Sequence, residues 1–226
     1  MQRSALSCPP IGDQVYQPPF YRLPHISTRS VFKRLLDVVG ALVGLCIVAV
    51  LIVPIAIAIR LDSRGPILYS QQRFGLQGKP FQILKFRSMV TNADALKSTI
   101  KNEAAGLIFK NTADPRVTKV GQFLRKTSLD ELPQFWNVLM GDMSLVGTRP
   151  PTADEVEHYS ERHWRRLDVR PGMTGQWQVS GRSAVKDFED IVDLDLHYQN
   201  QWTPIYDVKL IVMTVLVLLS KKAGAC

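Results

Sequence analysis

The feature that most constrains this chain is a run of about 22 residues, Val38 to Ile59, without a charged side chain. At 1.5 Å of rise per residue, such a run is long enough to cross the hydrocarbon core of a bilayer. A soluble core helix this long and apolar on every face would be unusual, so the segment is expected to enter a membrane. Its flanks pose an orientation problem. Lys33 and Arg34 precede it, while Arg60, Arg64, Arg73 and Lys79 follow it. Basic residues favour the cytoplasmic side, and a simple span would leave one of these groups outside. Pro54 offers a way out, because it removes a helical hydrogen bond and can bend the helix. A helix bent at Pro54 would enter and leave through one face, whereas a kinked span is the other arrangement these residues allow. Gly40 and Gly44 have a GxxxG spacing that would let a second helix approach and form a homodimer. Small residues falling by chance in an apolar run explain that spacing nearly as well.

Three regions follow from this reading: a polar, Pro-containing tail over 1–30, a membrane-inserted helix over 31–64, and a cytosolic domain docked on the membrane over 65–226. The tail has no apolar core or cleavage signal of a secretory leader and is expected to be poorly ordered. Within the domain, Ile67 to Gln71 and Pro80 to Met89 read as strands around a Gly75–Gly78 turn. Thr91 to Ala104 reads as a helix. Thr152 to Leu167 reads as another, because Thr152 and Glu155 have capping-box spacing. Phe188 to Gln199 places Phe188, Ile191, Val192 and Asp195 at helical spacing. Tyr206 to Leu219 is too short for a comfortable span, so it is expected to lie on the membrane surface or to pack on the domain. The fold class expected is α/β (α+β), with a two- to three-stranded sheet and several helices, some amphipathic and interfacial.

The charge of +8, from 28 Lys and Arg against 20 Asp and Glu, favours anionic partners. Cys8, Cys46 and Cys226 lie far apart without metal-ligand spacing, so neither a disulfide framework nor a zinc site is expected. The four histidines make no HExxH pattern, and the stretch Gly75 to Pro80 lacks the Walker spacing.

Reactive residue types are densest from Arg125 to Pro133, where Asp130 and Glu131 stand together behind Arg125 and Lys126. One reading is structural: Ser128 and Glu131 have capping-box spacing, and acids in a first turn suit the helix dipole. Pro133 argues for the other, since proline fits best at the first helical position. The helix would then start near Pro133, with Asp130 and Glu131 just ahead of its positive end, where a phosphate or metal-bound phosphate can be held. Arg149, between Thr148 and Pro150 in a Gly-flanked loop, is a rigid fork for an anion or a base. Lys85-Phe86-Arg87 and the loop from Arg170 to Gly175 add cations that could complete a phosphate-rich site.

Several strings then match a known family in its order: KRLLDVVGA at 33–41, KFRSM at 85–89, FLRKTSLDELPQFWNVLMGDMSLVGTRPP at 123–151, RPGMTGQWQVSGR at 170–182 and DVKLIVMTVLVLL at 207–219. Over roughly residues 31–222 the chain resembles the bacterial sugar transferases, the monotopic polyprenyl-phosphate glycosyl-1-phosphate transferases. The resemblance implies a re-entrant helix bent at Pro54. It implies a catalytic, Mg²⁺-dependent pair in Asp130 and Glu131, both also metal ligands. It implies a role for Arg149 and Pro150 in recognising a uridine nucleotide. Lys85, Arg87, Arg125 and Arg170 are the further substrate-binding candidates. The family usually has Pro-Arg-Pro where this chain has Thr148-Arg149-Pro150, a mark seen in capsule and exopolysaccharide transferases. Larger members carry extra transmembrane helices and an accessory domain, for which this sequence is too short.

The implied reaction moves a hexose-1-phosphate, glucose or galactose, from a UDP-sugar to a polyprenyl (undecaprenyl) phosphate at the inner membrane. It would release UMP and pass through an aspartyl-phosphosugar on Asp130, as a first step of exopolysaccharide, capsule or O-antigen synthesis. An N-acetylated donor is the alternative within this chemistry. A basic scaffold on membrane lipids leaves the adjacent carboxylates unexplained, and nucleic acid is not an expected partner because no reading motif is present.

Overall fold

The computed structural model describes residues 22–181, 185 and 187–220; the first 21 residues of the expected tail, with Cys8 and Cys226, lie outside the described residues. In chain order the elements are α1 (Val31–Asp62), β1 (Leu68–Phe74), β2 (Pro80–Phe86), α2 (Lys119–Lys126), α3 (Gln134–Met140) and β3 (Ser144–Val146), followed by α4 (Ala153–Val156), α5 (Glu161–Trp164), β4 (Gly172–Thr174), α6 (Gln176–Val179), α7 (Phe188–Gln201) and α8 (Pro204–Leu219).

The apolar run lies within α1, which Ser30 caps by accepting a hydrogen bond from the Lys33 amide at 3.3 Å. Pro54 lies inside the helix. Lys33, Asp37, Ala41, Gly44, Ile55 and Ile59 are its buried residues, a stripe in helical steps that Leu51 bridges across the middle. Both ends of this stripe are fastened to the same domain. At the start, Lys33 Nζ donates to Asp207 Oδ2 and to the Val146 carbonyl, each at 2.8 Å. One turn on, Asp37 Oδ1 accepts from Ser144 Oγ and the Leu145 amide, each at 2.8 Å. At the far end Ile55 and Ile59 pack with Phe86 and Leu124, and Asp62 accepts from the Val120 amide at 3.0 Å. The remaining faces are apolar and open: Val39, Val43, Val50 and Val53 are each more than half exposed. An unpartnered apolar surface on this scale suits lipid rather than water.

The glycines of α1 serve this seating. A Cβ on Gly40 would lie 2.5 Å from Leu145 Cδ1, and one on Gly44 would lie 2.4 Å from the Phe135 ring. The GxxxG face is therefore covered by β3 and α3 of its own chain, which corrects the dimer route expected from the spacing.

Strands β1 and β2 pair antiparallel with Leu68 opposite Phe86 and Phe74 opposite Pro80, around the turn at 75–79. In place of one sheet of two or three strands, the described residues form two sheets of two. The second pairs β3 with β4 in parallel, and an isolated Thr148–Pro171 bridge lies beside it. Strands of three residues show too little alternation to be read from sequence.

Two expected helices are corrected. Residues 91–104 form turns with one short 3-10 turn at Lys97–Thr99. The Ala93 carbonyl is taken by Arg116 Nη1 at 3.1 Å instead of a residue one helical turn on. Asn92 and Asp94 also favour turns over helix interiors. The stretch from Thr152 to Leu167 is broken between α4 and α5. Ser160 starts α5 through a capping box with His163, and the Tyr159 hydroxyl accepts from Arg166 Nη1 in the interior at 2.6 Å. Residues 22–30, expected as part of the tail, dock on the domain: Arg22 pairs with Asp168 at 3.2 Å, and the His25 amide donates to the Asp168 carbonyl at 2.8 Å.

Lys33→Met would leave Asp207 charged and buried, and the expected cost is about 3 kcal/mol or more. Lys33→Met/Asp207→Leu should recover much of that loss. Thermal unfolding of the four proteins of the cycle in detergent checks it.

Candidate active site

Helix α2 lies flush on the chain that leaves β2. A Cβ on Gly121 would stand 2.0 Å from the Ser88 carbonyl oxygen. This contact brings Arg125 to the end of β2, where its Nε donates to Ser88 Oγ at 2.9 Å. Beyond α2, Ser128 turns the chain back in the left-handed conformation at φ 56°, and a 3-10 turn, Leu129–Glu131, follows. Pro133 then precedes α3, and Ser128 makes no side-chain cap. Of the two readings of this segment, the backbone adopts the one in which Pro133 marks the helix start.

Asp130 and Glu131 are thereby held on a tight turn beside a cavity of about 650 Å³, whose walls also include Lys85, Arg87, Arg125 and Arg149. Asp130 is buried, with 6% of its surface exposed. Burial holds the Arg125 guanidinium below the usual arginine range, against the attraction of the nearby Asp130 carboxylate. Glu131 accepts from Lys85 Nζ at 3.2 Å, both side chains about a quarter exposed. The cavity wall thus sets two adjacent carboxylates beside the cations Lys85 and Arg125. Tyr69 lines the same cavity. Burial, with Asp94 beside it, pushes its phenol up to about 12, so it stays protonated near neutrality.

The other expected residues divide. Arg87 lines the cavity, but its guanidinium is spent on the end of α1, donating to the Ser63 carbonyl at 2.7 Å and the Arg64 carbonyl at 2.5 Å. Arg170 does not line this cavity; its Nη1 donates to the Thr28 carbonyl at 3.2 Å near the start of α1. Pro150 contributes its carbonyl, which accepts from Arg73 Nη1 at 3.0 Å. Pro54 stays on α1, away from the cavity walls.

Arg149 is held by a group that its own motif does not contain. Its Nη1 donates to both Glu155 oxygens, at 3.0 and 2.9 Å. Burial opposes ionisation of Glu155, yet Arg149, with Arg73 and Arg166 nearby, outweighs it and holds the carboxyl below its usual range. Behind this pair Arg166, fully buried, donates to Asp195 Oδ2 from Nε at 2.8 Å and to the Arg149 carbonyl at 3.3 Å. Thr148 explains its own departure from the Pro-Arg-Pro pattern. Its hydroxyl donates to the Arg166 carbonyl at 2.9 Å, a bond that proline could not make.

Glu155, Arg166 and Asp195 were not among the site candidates. Glu155 looked like half of a capping box; Thr152 does accept from its amide, at 3.4 Å, but the carboxylate goes to Arg149. Asp195 carried the usable signal, an acid at core spacing with Phe188, Ile191 and Val192, which implies a buried cation.

With this geometry in place, comparison with known proteins decides the family. The sequence pattern of the family described as bacterial sugar transferase matches residues 28–221. The chain belongs to that family. Among its relatives, the chain is 48% identical over 206 residues to "Galactosyl transferase CpsE" of Streptococcus agalactiae, covering 90% of this chain and 45% of the relative. It is 39% identical to the "UDP-glucose:undecaprenyl-phosphate glucose-1-phosphate transferase" of Escherichia coli, covering 87% of this chain and 42% of that protein. The chain thus spans less than half the length of these relatives. A relative nearer its own size is the "Exopolysaccharide production protein ExoY" of Sinorhizobium fredii, 39% identical, with 82% of this chain and 84% of the relative covered.

The left-handed residue ahead of the carboxylates gives a direct test of the turn. Ser128→Gly should keep or raise the melting temperature, and Ser128→Val should cost about 1–2 kcal/mol, because a branched Cβ is strained at positive φ. Melting curves of both variants measure it.

Proposed function

We propose that this protein is a transferase that moves a hexose-1-phosphate from a UDP-hexose to undecaprenyl phosphate, releasing UMP and leaving an undecaprenyl-diphosphate-sugar. The observation that carries this reading is the pair Asp130 and Glu131 on one cavity wall with Lys85, Arg125 and Arg149. The names of the relatives supply the substrates, galactose or glucose as its 1-phosphate and undecaprenyl phosphate as acceptor.

In the first half, an Asp130 carboxylate oxygen attacks the phosphorus that bears the sugar. The bond from that phosphorus to the bridging oxygen breaks, and its electron pair leaves with UMP. Arg125 and Lys85 offset the repulsion between the carboxylate and the anionic diphosphate, and Lys85 orients Glu131. Arg149, locked by Glu155, holds the nucleotide side of the donor. In the second half, an oxygen of the lipid phosphate attacks the same phosphorus and Asp130 departs as carboxylate.

Mg²⁺ fits this donor set. No cluster of three or more His, Cys, Asp or Glu is present among the described residues. Mg²⁺ needs only one or two carboxylates when substrate phosphates complete its shell, and Asp130 and Glu131 can provide these. When bound, it would supply charge screening at the diphosphate.

The placement of the acceptor follows from α1. Residues 33–62 touch the domain at both ends while the outer faces stay apolar, which favours a helix that dips into one leaflet and returns, bent at Pro54. The domain would then face the cytoplasm on the inner membrane with Asp130 at headgroup depth. The α8 helix adds to this footprint: Val212, Leu216 and Leu219 are each at least half exposed.

UMP release from UDP-glucose, UDP-galactose and their N-acetylated counterparts, with undecaprenyl phosphate and Mg²⁺, tests the reaction. Turnover with a hexose donor, lost on chelation and reduced at least about 10³-fold in Asp130→Asn, is the expected result. Preference for an N-acetylated donor would replace the hexose assignment. Glu155→Gln should raise KM for the UDP-sugar about tenfold with a smaller change in kcat, because it loosens Arg149 without touching Asp130. Steady-state kinetics on the two variants separates these effects.

A further inference from the structure

A second depression, of about 480 Å³, opens beside the first turn of α1 and shares no wall residue with the catalytic cavity. Arg29, Arg34 and Arg170 line it, and no acidic residue does. Two are fixed in place. Arg34 Nη1 and Nη2 donate to the Val138 and Leu139 carbonyls at 2.9 and 2.8 Å, and Arg170 is held on the Thr28 carbonyl. Each guanidinium has five N–H donors, so both retain donors that these bonds do not use. None of the three has a carboxylate partner among the described residues. Three cations gathered without a counter-charge repel one another, a cost that an anion would relieve.

The apolar wall says what kind of anion. Val31, Leu35 and Val38 complete the depression. Val31 and Leu35 are 83% and 60% exposed, and the apolar face continues along α1 through Val39 and Leu42. A ligand that satisfies both walls carries a phosphate at one end and hydrocarbon at the other. The positive end of the 32-residue α1 points toward the same place. Arg34 marks the C-terminal end of α3, whereas Asp130 precedes its N-terminal end, so this is not the seat of the acceptor phosphate.

We infer that Arg29, Arg34 and Arg170 form a binding site for the phosphodiester headgroup of an anionic phospholipid, whose acyl chains run along Leu35 and Val38. The site would fix the depth and rotation of the domain on the leaflet. It accounts for Arg170, which the catalytic cavity does not use. The inference rests on the reading of α1 as membrane-inserted, and incorporation of the chain into nanodiscs of neutral phosphatidylcholine tests that reading by itself.

The test is thermal unfolding of the full chain in detergent micelles, titrated with phosphatidylglycerol, phosphatidylcholine or inorganic phosphate. Phosphatidylglycerol should raise the melting temperature, and the other two should not. In Arg29→Ala/Arg170→Ala the phosphatidylglycerol needed for half the shift should rise about tenfold or more, since each cation near a lipid phosphate contributes on the order of one contact's worth of attraction. Lys79→Ala/Arg165→Ala removes the same charge from exposed positions outside the depression and should leave it within about twofold. Arg29→Glu, on an exposed side chain, repeats the test should the double variant not fold, and should weaken the response at least as much. An equal loss in the Lys79→Ala/Arg165→Ala control, or no loss in either cavity variant, would overturn the site. An equal rise with inorganic phosphate would overturn the lipid assignment in favour of a free-anion site.

Discussion

The buried ion pair between Lys33 and Asp207 is the interaction on which the rest of the architecture depends. Two charges out of water are tolerable only when their remaining hydrogen-bonding groups are met, and here they are. Asp207 accepts from Lys33 Nζ, from the Tyr198 hydroxyl at 2.8 Å and from Trp202 Nε1 at 3.0 Å, while Lys33 also reaches the Val146 carbonyl. One pair thus joins the first turn of α1 to α7, α8 and β3. Together with Asp37 on Ser144, it fixes the rotation of a helix that otherwise offers apolar faces all round. That rotation seats Gly40 and Gly44 on Leu145 and Phe135, and so places α3 and the turn that bears Asp130 and Glu131.

Polar ties carry much of the specificity because the core is divided. Its buried apolar residues fall into several small clusters, such as Ile55, Ile59, Phe86 and Leu124 between α1, β2 and α2, and Val146, Tyr198 and Leu210 between β3, α7 and α8. Between them run charged networks, of which Arg166 with Asp195, Tyr159 and the Arg149 carbonyl is the most enclosed. Asp195 Oδ2 meets Arg166, whereas its Oδ1 is buried without a hydrogen-bond partner among the described residues, so this network orders the arrangement at a cost in stability. The network also links α7 to the loop of Arg149 at the cavity.

Much of this was legible in the sequence where the signal is local. The hairpin was marked by its glycine turn, α7 by its period, and the start of α3 by Pro133. The pairing of Asp130 with Glu131 beside Lys85 and Arg125 followed from residue types in strings that also carry a family resemblance. What escaped was decided by contacts distant in sequence. Ala93 gives its carbonyl to Arg116, so residues 91–104 cannot wind. Arg87 faces the end of α1, which no local pattern records. Arg170 stands one residue before Pro171, which bridges to Thr148 beside the β3–β4 pair; the guanidinium goes to Thr28, away from the carboxylates. Glu155 matched a capping box on spacing alone, and Arg149, six residues earlier, was the stronger partner.

A domain that grips both ends of α1 requires the helix to begin and end on the same side of the membrane. Single cysteines at Leu23→Cys and Arg64→Cys, in a chain whose own three cysteines are replaced, can be labelled with an impermeant maleimide in sealed vesicles of known orientation. Both positions should react from the cytoplasmic face alone. Reaction of the two from opposite faces would mean that α1 crosses the bilayer, and the contacts at one of its ends could not then exist in the membrane.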